Sequence, residues 1–216
     1  MNPPKLIIAP TVEPISLDDL RFSLRIDELS DPTENAAQDK RLTMLLKAAR
    51  QSCESLAGKT WNETMWEWIY HRDYNEARHW YGTRHRITLP RATPLIEIVS
   101  VYYEDSSHVE HLLHSAYYSG DVDSEPGQLV LTSEHPADWS SHRLRIRYRA
   151  GTELTSPITP QPEVRPLVAL MLATHLWQNP EPAATSGISG VALTPVMERT
   201  IVGMLTLSND RLPSDC

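Results

Sequence analysis

The stretch Arg143-Leu144-Arg145-Ile146-Arg147-Tyr148-Arg149-Ala150 alternates an arginine with an apolar residue at every step. Successive side chains of a β-strand point to opposite faces, so this alternation predicts a strand with four guanidinium groups on one face and an apolar row on the other. The apolar row needs a core to pack against, and a chain of 216 residues is long enough to build one. We therefore place this strand within a β-structure.

The residues around this stretch have the composition of further short strands. The candidates are rich in Ile, Val, Tyr and Trp, and clusters of Pro, Gly, Asp and Ser separate them. They lie near residues 66–70, 87–89, 95–103, 128–132 and 142–150. Several short strands at close spacing predict a small antiparallel sheet, barrel or sandwich over residues 60–151.

Two helices are predicted before this β-region, after an extended proline-punctuated arm over residues 3–14. Ser16 suits the N-cap of a short helix that runs to about Ile26. Asp31 and Pro32 suit the start of a long helix, and Gly58 suits its end. The apolar residues of the long helix recur at helical spacing; they are Leu42, Leu45, Leu46, Ala49, Cys53 and Leu56.

Residues 152–216 return to helix. A proline-rich linker over 155–166 leads to a helix that is apolar on most sides and ends near Trp177, so neighbouring helices or another chain must bury it. A polar loop over 179–190 precedes a last helix, opened by Thr194-Pro195, and a tail that we expect to be disordered. The sequence thus predicts an α+β fold, in which residues 1–59 and 152–216 form one helical module and residues 60–151 an inserted antiparallel β module.

Composition and charge exclude several classes of protein. With 20 Lys and Arg against 28 Asp and Glu, the formal net charge is −8, which argues against a protein that binds DNA through a basic surface. No apolar run approaches the length of a membrane span, and the first residues do not form a signal peptide. The two cysteines, Cys53 and Cys216, suggest neither a disulfide framework nor a zinc site.

The arginine stripe Arg143, Arg145, Arg147 and Arg149 is the first candidate functional feature. Arginine binds carboxylates and phosphates in a bidentate manner. Between Ala92 and His142 the chain has nine acidic residues and no lysine or arginine. Three roles therefore remain open for the stripe: pairing with these acids within the sheet, contact with an acidic surface of another subunit, or contact with DNA.

Three histidines at a spacing of three, His108, His111 and His114, are the second candidate feature. On a helix they would share a face and could bind a metal. The apolar and aromatic residues between them favour a strand or turn instead, where they are solvated hairpin residues. The chain has no nucleophile-elbow, phosphate-loop or dinucleotide-binding motif, and Cys53 lies on the apolar face of its helix. We expect no catalysis and no cofactor.

Several motifs, taken in order, resemble the head–tail connector, or adaptor, proteins of long-tailed bacteriophages and phage-derived particles. Leu24-Arg25-Ile26-Asp27 fits the end of the family's first helix, and Leu89-Pro90-Arg91-Ala92-Thr93-Pro94-Leu95 fits its Leu-Pro-Arg-x-Pro-Leu segment. Further matches lie at residues 14–20, 55–60, 65–68, 99–103, 125–129 and 173–179. The resemblance runs from about Pro10 to Leu205.

The resemblance implies a structural, non-catalytic virion protein that is made in the host cytoplasm. Members of this family form a ring, typically twelvefold, beneath the portal protein. The ring extends the channel through which double-stranded DNA passes and presents a surface to the next neck or tail protein. Two alternatives stay open: a metal-dependent enzyme that uses His108–His114, and another ring protein of the neck or tail terminator.

The last helix is the candidate docking element. Its apolar residues need a partner surface, which the resemblance identifies as the portal or a neighbouring subunit; they are Val196, Met197, Ile201, Met204 and Leu205. The alternative is that this helix packs on its own subunit.

Overall fold

The computed structural model describes residues 3–29, 31–71, 85–105, 107–132, 143–152, 164–179 and 195–207, with the side chains of 198–204 in the last range. The chain divides into two compact units. The β unit comprises Met1–Pro10 and Lys59–Ser156, and the helical unit comprises Thr11–Gly58 and Pro157–Cys216. The described residues form helices and antiparallel sheets, which confirms the predicted α+β fold.

The described part of the helical unit contains four α-helices: α1 (Leu17–Leu24), α2 (Pro32–Ala57), α3 (Val164–Gln178) and α4 (Pro195–Leu207). The predicted cap of α1 is confirmed, since the Ser16 hydroxyl accepts a hydrogen bond from the Asp19 backbone N–H at 3.1 Å. The helix ends at Leu24, before the predicted Ile26, because Arg25 adopts a left-handed conformation with φ of 54°. None of the helices in the described ranges is long and apolar enough to cross a membrane.

Helix α2 begins and ends as predicted. The Asp31 carboxylate accepts a hydrogen bond from the Thr33 backbone N–H at 2.7 Å, and Pro32 occupies the first helical turn, where its missing N–H has no cost. At the other end Gly58 has φ of 64° and its N–H bonds back to the helix. A glycine adopts this left-handed conformation without the steric penalty of a Cβ atom.

The β unit contains eight strands in its described residues. They are β1 (Lys5–Ile8), β2 (Thr64–His71), β3 (His85–Thr88), β4 (Leu95–Glu104), β5 (Glu110–Leu112), β6 (Tyr118–Asp121), β7 (Gln128–Leu131) and β8 (Arg143–Ala150). One sheet has the order β1-β2-β8-β4-β5, and the other has the order β3-β7-β6. All pairings within these sheets are antiparallel. The arginine-rich strand β8 is therefore the central strand of the larger sheet.

One apolar core serves both sheets. Leu144, Ile146 and Tyr148 of β8 are at most 2% exposed, which confirms the apolar face predicted for this strand. Trp66 and Trp68 of β2 lie opposite Tyr148 and Ile146. The remaining members of the core come from both sheets and the segments between them: Ile87, Leu89, Ala92, Leu95, Val101, Tyr103, Leu113, Leu129, Leu131 and Ala150.

Residues 89–95 form a tight corner between β3 and β4, and Gly127 packs against this corner. The Gly127 N–H donates to the Ala92 carbonyl at 2.7 Å, and the Leu89 N–H donates to the Gly127 carbonyl at 3.0 Å. A Cβ atom at Gly127 would lie only 2.3 Å from Cβ of Leu95. The Tyr148 hydroxyl donates to the Pro90 carbonyl, which ties the corner to the central strand. Glycine is therefore the residue that fits at position 127.

The N-terminal arm differs from its predicted placement with the helices. Residues Lys5–Ile8 form strand β1, which pairs with β2 and so belongs to the β unit. Strand β6 was also not predicted. Of the predicted linker over 155–166, residues 164–166 belong to α3 and residues 155–163 lie outside the described residues. The predicted loop over 179–190 apart from Asn179, the tail 208–216 and the tryptophans Trp80 and Trp139 also lie outside them.

The helical unit buries apolar residues from all four helices, with α2 and α3 in mutual contact. Its fully buried residues include Leu20, Leu42, Ala49, Cys53, Val168, Leu172 and Ile201. This core also contains a charged group: Arg50 Nε donates to Glu13 at 2.8 Å, and Arg50 Nη1 donates to Glu54 at 2.8 Å. The pairing compensates for the burial of the Arg50 charge.

Shortening Leu172, which is fully buried on α3, should destabilise the helical unit. We expect Leu172→Ala to lower the free energy of unfolding by about 2–5 kcal/mol, because it removes buried methyl groups and leaves a cavity. Leu167→Ala on the same helix is the matched control. Its side chain is 48% exposed, so its effect should be about 0.5 kcal/mol or less. Urea denaturation of both variants tests the assignment, and equal losses would contradict it.

Candidate functional site

The outward face of the five-stranded sheet carries the arginine stripe. Because Leu144, Ile146 and Tyr148 point into the core, Arg143, Arg145, Arg147 and Arg149 project to the opposite face. Strands β2 and β4 flank β8 on its two sides. Their residues that face the same way therefore surround the guanidinium groups.

Glu67 of β2 lies between two of the arginines. Arg147 Nε donates to its carboxylate at 2.6 Å, and Arg145 Nη1 donates to the same oxygen at 3.4 Å. The Glu67 side chain is only 13% exposed. Burial by itself would raise the pKa of Glu67, but the hydrogen bonds and charges of Arg147 and Arg145 outweigh it and lower the pKa below its usual value.

Four further glutamates complete the set of ion pairs. Arg145 Nη2 lies 2.6 Å from Glu110, and Arg143 Nη1 lies 3.0 Å from Glu104. Arg149 lies 2.6 Å from Glu63 through Nη1 and 2.9 Å from Glu97 through Nε. We call the four arginines and five glutamates the charge ladder; the glutamates are Glu63, Glu67, Glu97, Glu104 and Glu110. The arginine charges are thus balanced by carboxylates of the same unit.

An aromatic ring also holds one arginine of the ladder. The guanidinium carbon of Arg145 lies 4.2 Å from the centre of the Tyr102 ring, a distance that permits a cation–π contact. The same arginine contacts two carboxylates, as described above. These contacts restrict its side chain, so Arg145 is a fixed part of the sheet face.

The structure therefore shows all four arginines of the stripe paired with acidic residues of the same unit. This is one of the three roles that the sequence left open. Glu97, Glu104 and Glu110 come from the acidic segment noted in the sequence. Glu63 and Glu67 were not predicted, because only the pairing of β2 with β8 brings them beside the stripe. Contact of this face with a subunit or with DNA stays a prediction.

The three histidines contact different groups. His108 Nδ1 lies against the Glu104 carboxylate, and His111 Nε2 lies 2.8 Å from Asp105. The His114 ring accepts a hydrogen bond from the Ala116 backbone N–H at 3.2 Å. Within the described ranges, no three His, Cys, Asp or Glu side chains lie close enough together to hold a metal ion. The His108 contact, with that of Arg143, lowers the pKa of Glu104.

The structure describes the side chains of only part of the candidate docking helix, α4. Helix α4 contacts α2 and α3, and Ile201 is fully buried there. Met204 is half-buried. The side chains of Val196, Met197 and Leu205 lie outside those that the structure describes. Ile201 thus serves the core of its own subunit, and docking through the other residues stays a prediction.

The fold of the chain is similar to that of chains in solved particle structures. One is a chain in the neck of an empty GTA particle, computed with C6 symmetry. The match covers 98% of this chain and 97% of that chain, with a TM-score of 0.63 and 17% sequence identity. A chain in the neck of a native GTA particle, computed with C12 symmetry, matches 93% of this chain over 94% of its own, with a TM-score of 0.58 and 17% identity.

A third similar chain belongs to the virion of a native gene transfer agent (GTA) particle. It matches 90% of this chain over 94% of its own length, with a TM-score of 0.55 and 18% identity. At these identities the likeness shows a shared fold. No protein-family model matches the chain, and no curated protein matches its sequence.

Replacing Glu67 by glutamine keeps the shape of the side chain and removes its charge. We expect Glu67→Gln to lower the free energy of unfolding at pH 7 by about 1.5–3 kcal/mol, as for a hydrogen bond to a charged group. Because the folded protein lowers the pKa of Glu67, the carboxylate stabilises the fold above the ordinary glutamate pKa of about 4.3, and this stabilisation is lost as the pH falls further. The difference between variant and parent should therefore shrink toward about pH 3.

The matched control is Glu97→Gln, since Glu97 contacts Arg149 but is 52% exposed. Its cost should be at most about 1 kcal/mol, as for exposed ion pairs. Urea denaturation at both pH values measures the two variants. A cost for Glu67→Gln that does not change with pH would contradict the charge-based account.

Proposed function

We propose that the chain is a structural protein of the neck that joins head and tail in a phage-like particle. The observation that carries this proposal is the match to a GTA neck chain over almost the whole of both chains. A match of this extent includes the helical and β units alike, so it is not the recurrence of one common motif. The ordered motifs of the head–tail connector family add independent support.

In this proposal copies of the chain form a ring, and twelve is the usual subunit number in the connector family that the sequence resembles. Two of the similar chains come from necks computed with C6 and C12 symmetry, which supports a ring. The ring lies beneath the portal protein, extends the DNA channel and binds the next neck or tail protein.

The distribution of charge suits a conduit through which DNA passes. A basic wall would hold DNA, since each phosphate contact releases counterions and adds to affinity. Here the net charge is −8, and five glutamates balance the four arginines of the charge ladder. Double-stranded DNA is therefore a passing cargo and not a bound ligand.

The described residues that could carry chemistry have structural surroundings, which supports a non-catalytic role. Cys53 is fully buried, and burial raises the pKa of its thiol to about 12. The thiol is then protonated near neutral pH, whereas the thiolate is the reactive form. His108, His111 and His114 each contact a different group, as described above.

Deleting the gene in a host that makes the particle should leave heads without tails. The expected result follows because a missing neck ring removes the surface on which the tail assembles. Negative-stain electron microscopy counts tailed and tailless heads, and the wild-type gene supplied in trans should restore tails. Normally tailed particles from the deletion strain would overturn the proposed function.

Two single variants of α4 separate docking from internal packing. Ile201→Ala should lower the free energy of unfolding by about 2–5 kcal/mol, because Ile201 is fully buried. Met204→Ala should change stability less and should weaken co-sedimentation with the portal protein, if α4 docks there. Unchanged portal binding by folded Met204→Ala would count against docking through this helix face.

A further inference from the structure

The two edges of the five-stranded sheet both expose large apolar side chains. On strand β1 the exposed residues are Leu6, Ile7 and Ile8, the last at 53%. At the other edge Leu112 of β5 is 62% exposed, and Val109 just before it is 51% exposed. Each edge also carries a charged residue, Lys5 on β1 and Glu110 on β5, and β1 has a register shift. Apolar side chains that stay exposed beside these features suggest that both edges are covered in an assembly.

The backbone of β5 directs hydrogen-bonding groups away from its sheet. The Val109 carbonyl accepts from Asp105 N–H at 3.0 Å, and Leu113 N–H donates to the Val101 carbonyl at 2.8 Å. In an antiparallel pair, alternate residues bond to the partner strand and the residues between them point outward. The N–H and C=O groups of Glu110 and Leu112 therefore point to the outer side of β5.

We infer that strand β1 of one copy of this chain pairs with strand β5 of the next copy, so that the five-stranded sheets continue from subunit to subunit. This inference rests on the proposed ring. A closed ring of more than two copies needs a heterologous interface, in which two different surfaces of each subunit meet. The opposite edges of one sheet provide such a pair of surfaces.

The direction of this pairing follows from the number of strands. All four pairings in the sheet are antiparallel, so the first and the fifth strands run in the same direction. A sheet that continues into the next copy then joins β5 and β1 as parallel neighbours. A two-fold dimer through β1 alone would instead pair the strand with itself in the antiparallel direction.

The side chains at the two edges indicate a register. Lys5 and Ile8 lie opposite Glu67 and Met65, which places them on the charge-ladder face. Glu110 and Leu112 lie opposite Glu104 and Tyr102, on the same face.

The register shift between Leu6 and Ile8 makes Lys5 and Ile8 span two positions of β2, the same interval as Glu110 to Leu112. The inferred register sets Lys5 beside Glu110 and Ile8 beside Leu112. Both contacts are complementary, one in charge and the other in apolar character. Glu110 also contacts Arg145 through Nη2, and its carboxylate can accept from both cations. Because only three or four residues pair, the edges set direction and register while other contacts add to the affinity of the ring.

Cysteines at Ile8 and Leu112 test the inference in assembled particles. The double variant Ile8→Cys/Leu112→Cys, in a Cys216→Ser background, is supplied to the deletion strain, and purified particles are treated with a short bis-maleimide. Both positions are exposed, so the fold should tolerate them, and buried Cys53 should not react. Denaturing electrophoresis should show a ladder of dimers, trimers and higher oligomers that only the double variant forms.

Two control variants, and the protein content of the particles, separate the outcomes. Ile8→Cys alone should stay monomeric, and dimers from it would indicate a two-fold β1 contact and overturn the inference. Ile8→Cys/Val99→Cys should form no ladder, because Val99 is exposed on β4 outside the residues Tyr102–Glu104 that pair with β5. Particles that contain the Ile8→Cys/Leu112→Cys protein but yield no ladder would overturn the edge pairing and leave the proposed function intact. Absence of the wild-type protein from particles would overturn both.

Discussion

Strand β8 imposes the main constraint on the β unit, because its two faces need different surroundings at the same time. Leu144, Ile146 and Tyr148 need an apolar core, and the four arginines need carboxylates. Strands β2 and β4 meet both needs, since each carries core residues on one face and glutamates on the other. A slip of one residue in either pairing would put arginines into the core, so register is strongly specified.

The helical unit also contains a buried ion-pair cluster, formed by Arg50 with Glu13 and Glu54. Arg50 is almost fully buried, and such a charge is costly to remove from water unless carboxylates surround it. Glu54 lies one turn away on α2, whereas Glu13 belongs to the segment before α1. The buried arginine therefore joins that segment to α2. Arg41 of α2 lies over the Trp177 ring of α3 at 4.5 Å and provides a further link between helices.

These internal pairings agree with the proposed structural role. The four arginines of the charge ladder are engaged with carboxylates of the same unit, and His108 and His111 contact separate carboxylates, so these side chains serve the fold. Large apolar side chains at both edges of the five-stranded sheet are, by contrast, exposed. Such edges suit repetition of identical subunits, because the backbone provides direction and a few side chains provide register.

The sequence by itself determined the local features of this protein: the caps at Ser16, Asp31 and Gly58, the long amphipathic α2, and the two faces of β8. Each depends on residues a few positions apart, so propensity and periodicity reveal it. The sequence also indicated three of the five acids in the charge ladder. Only the tertiary structure decided that the N-terminal arm becomes β1, that Glu63 and Glu67 join the ladder, and that β1 and β5 are the sheet edges. These depend on pairing between strands far apart in the chain, and no local pattern encodes which distant strand is the neighbour.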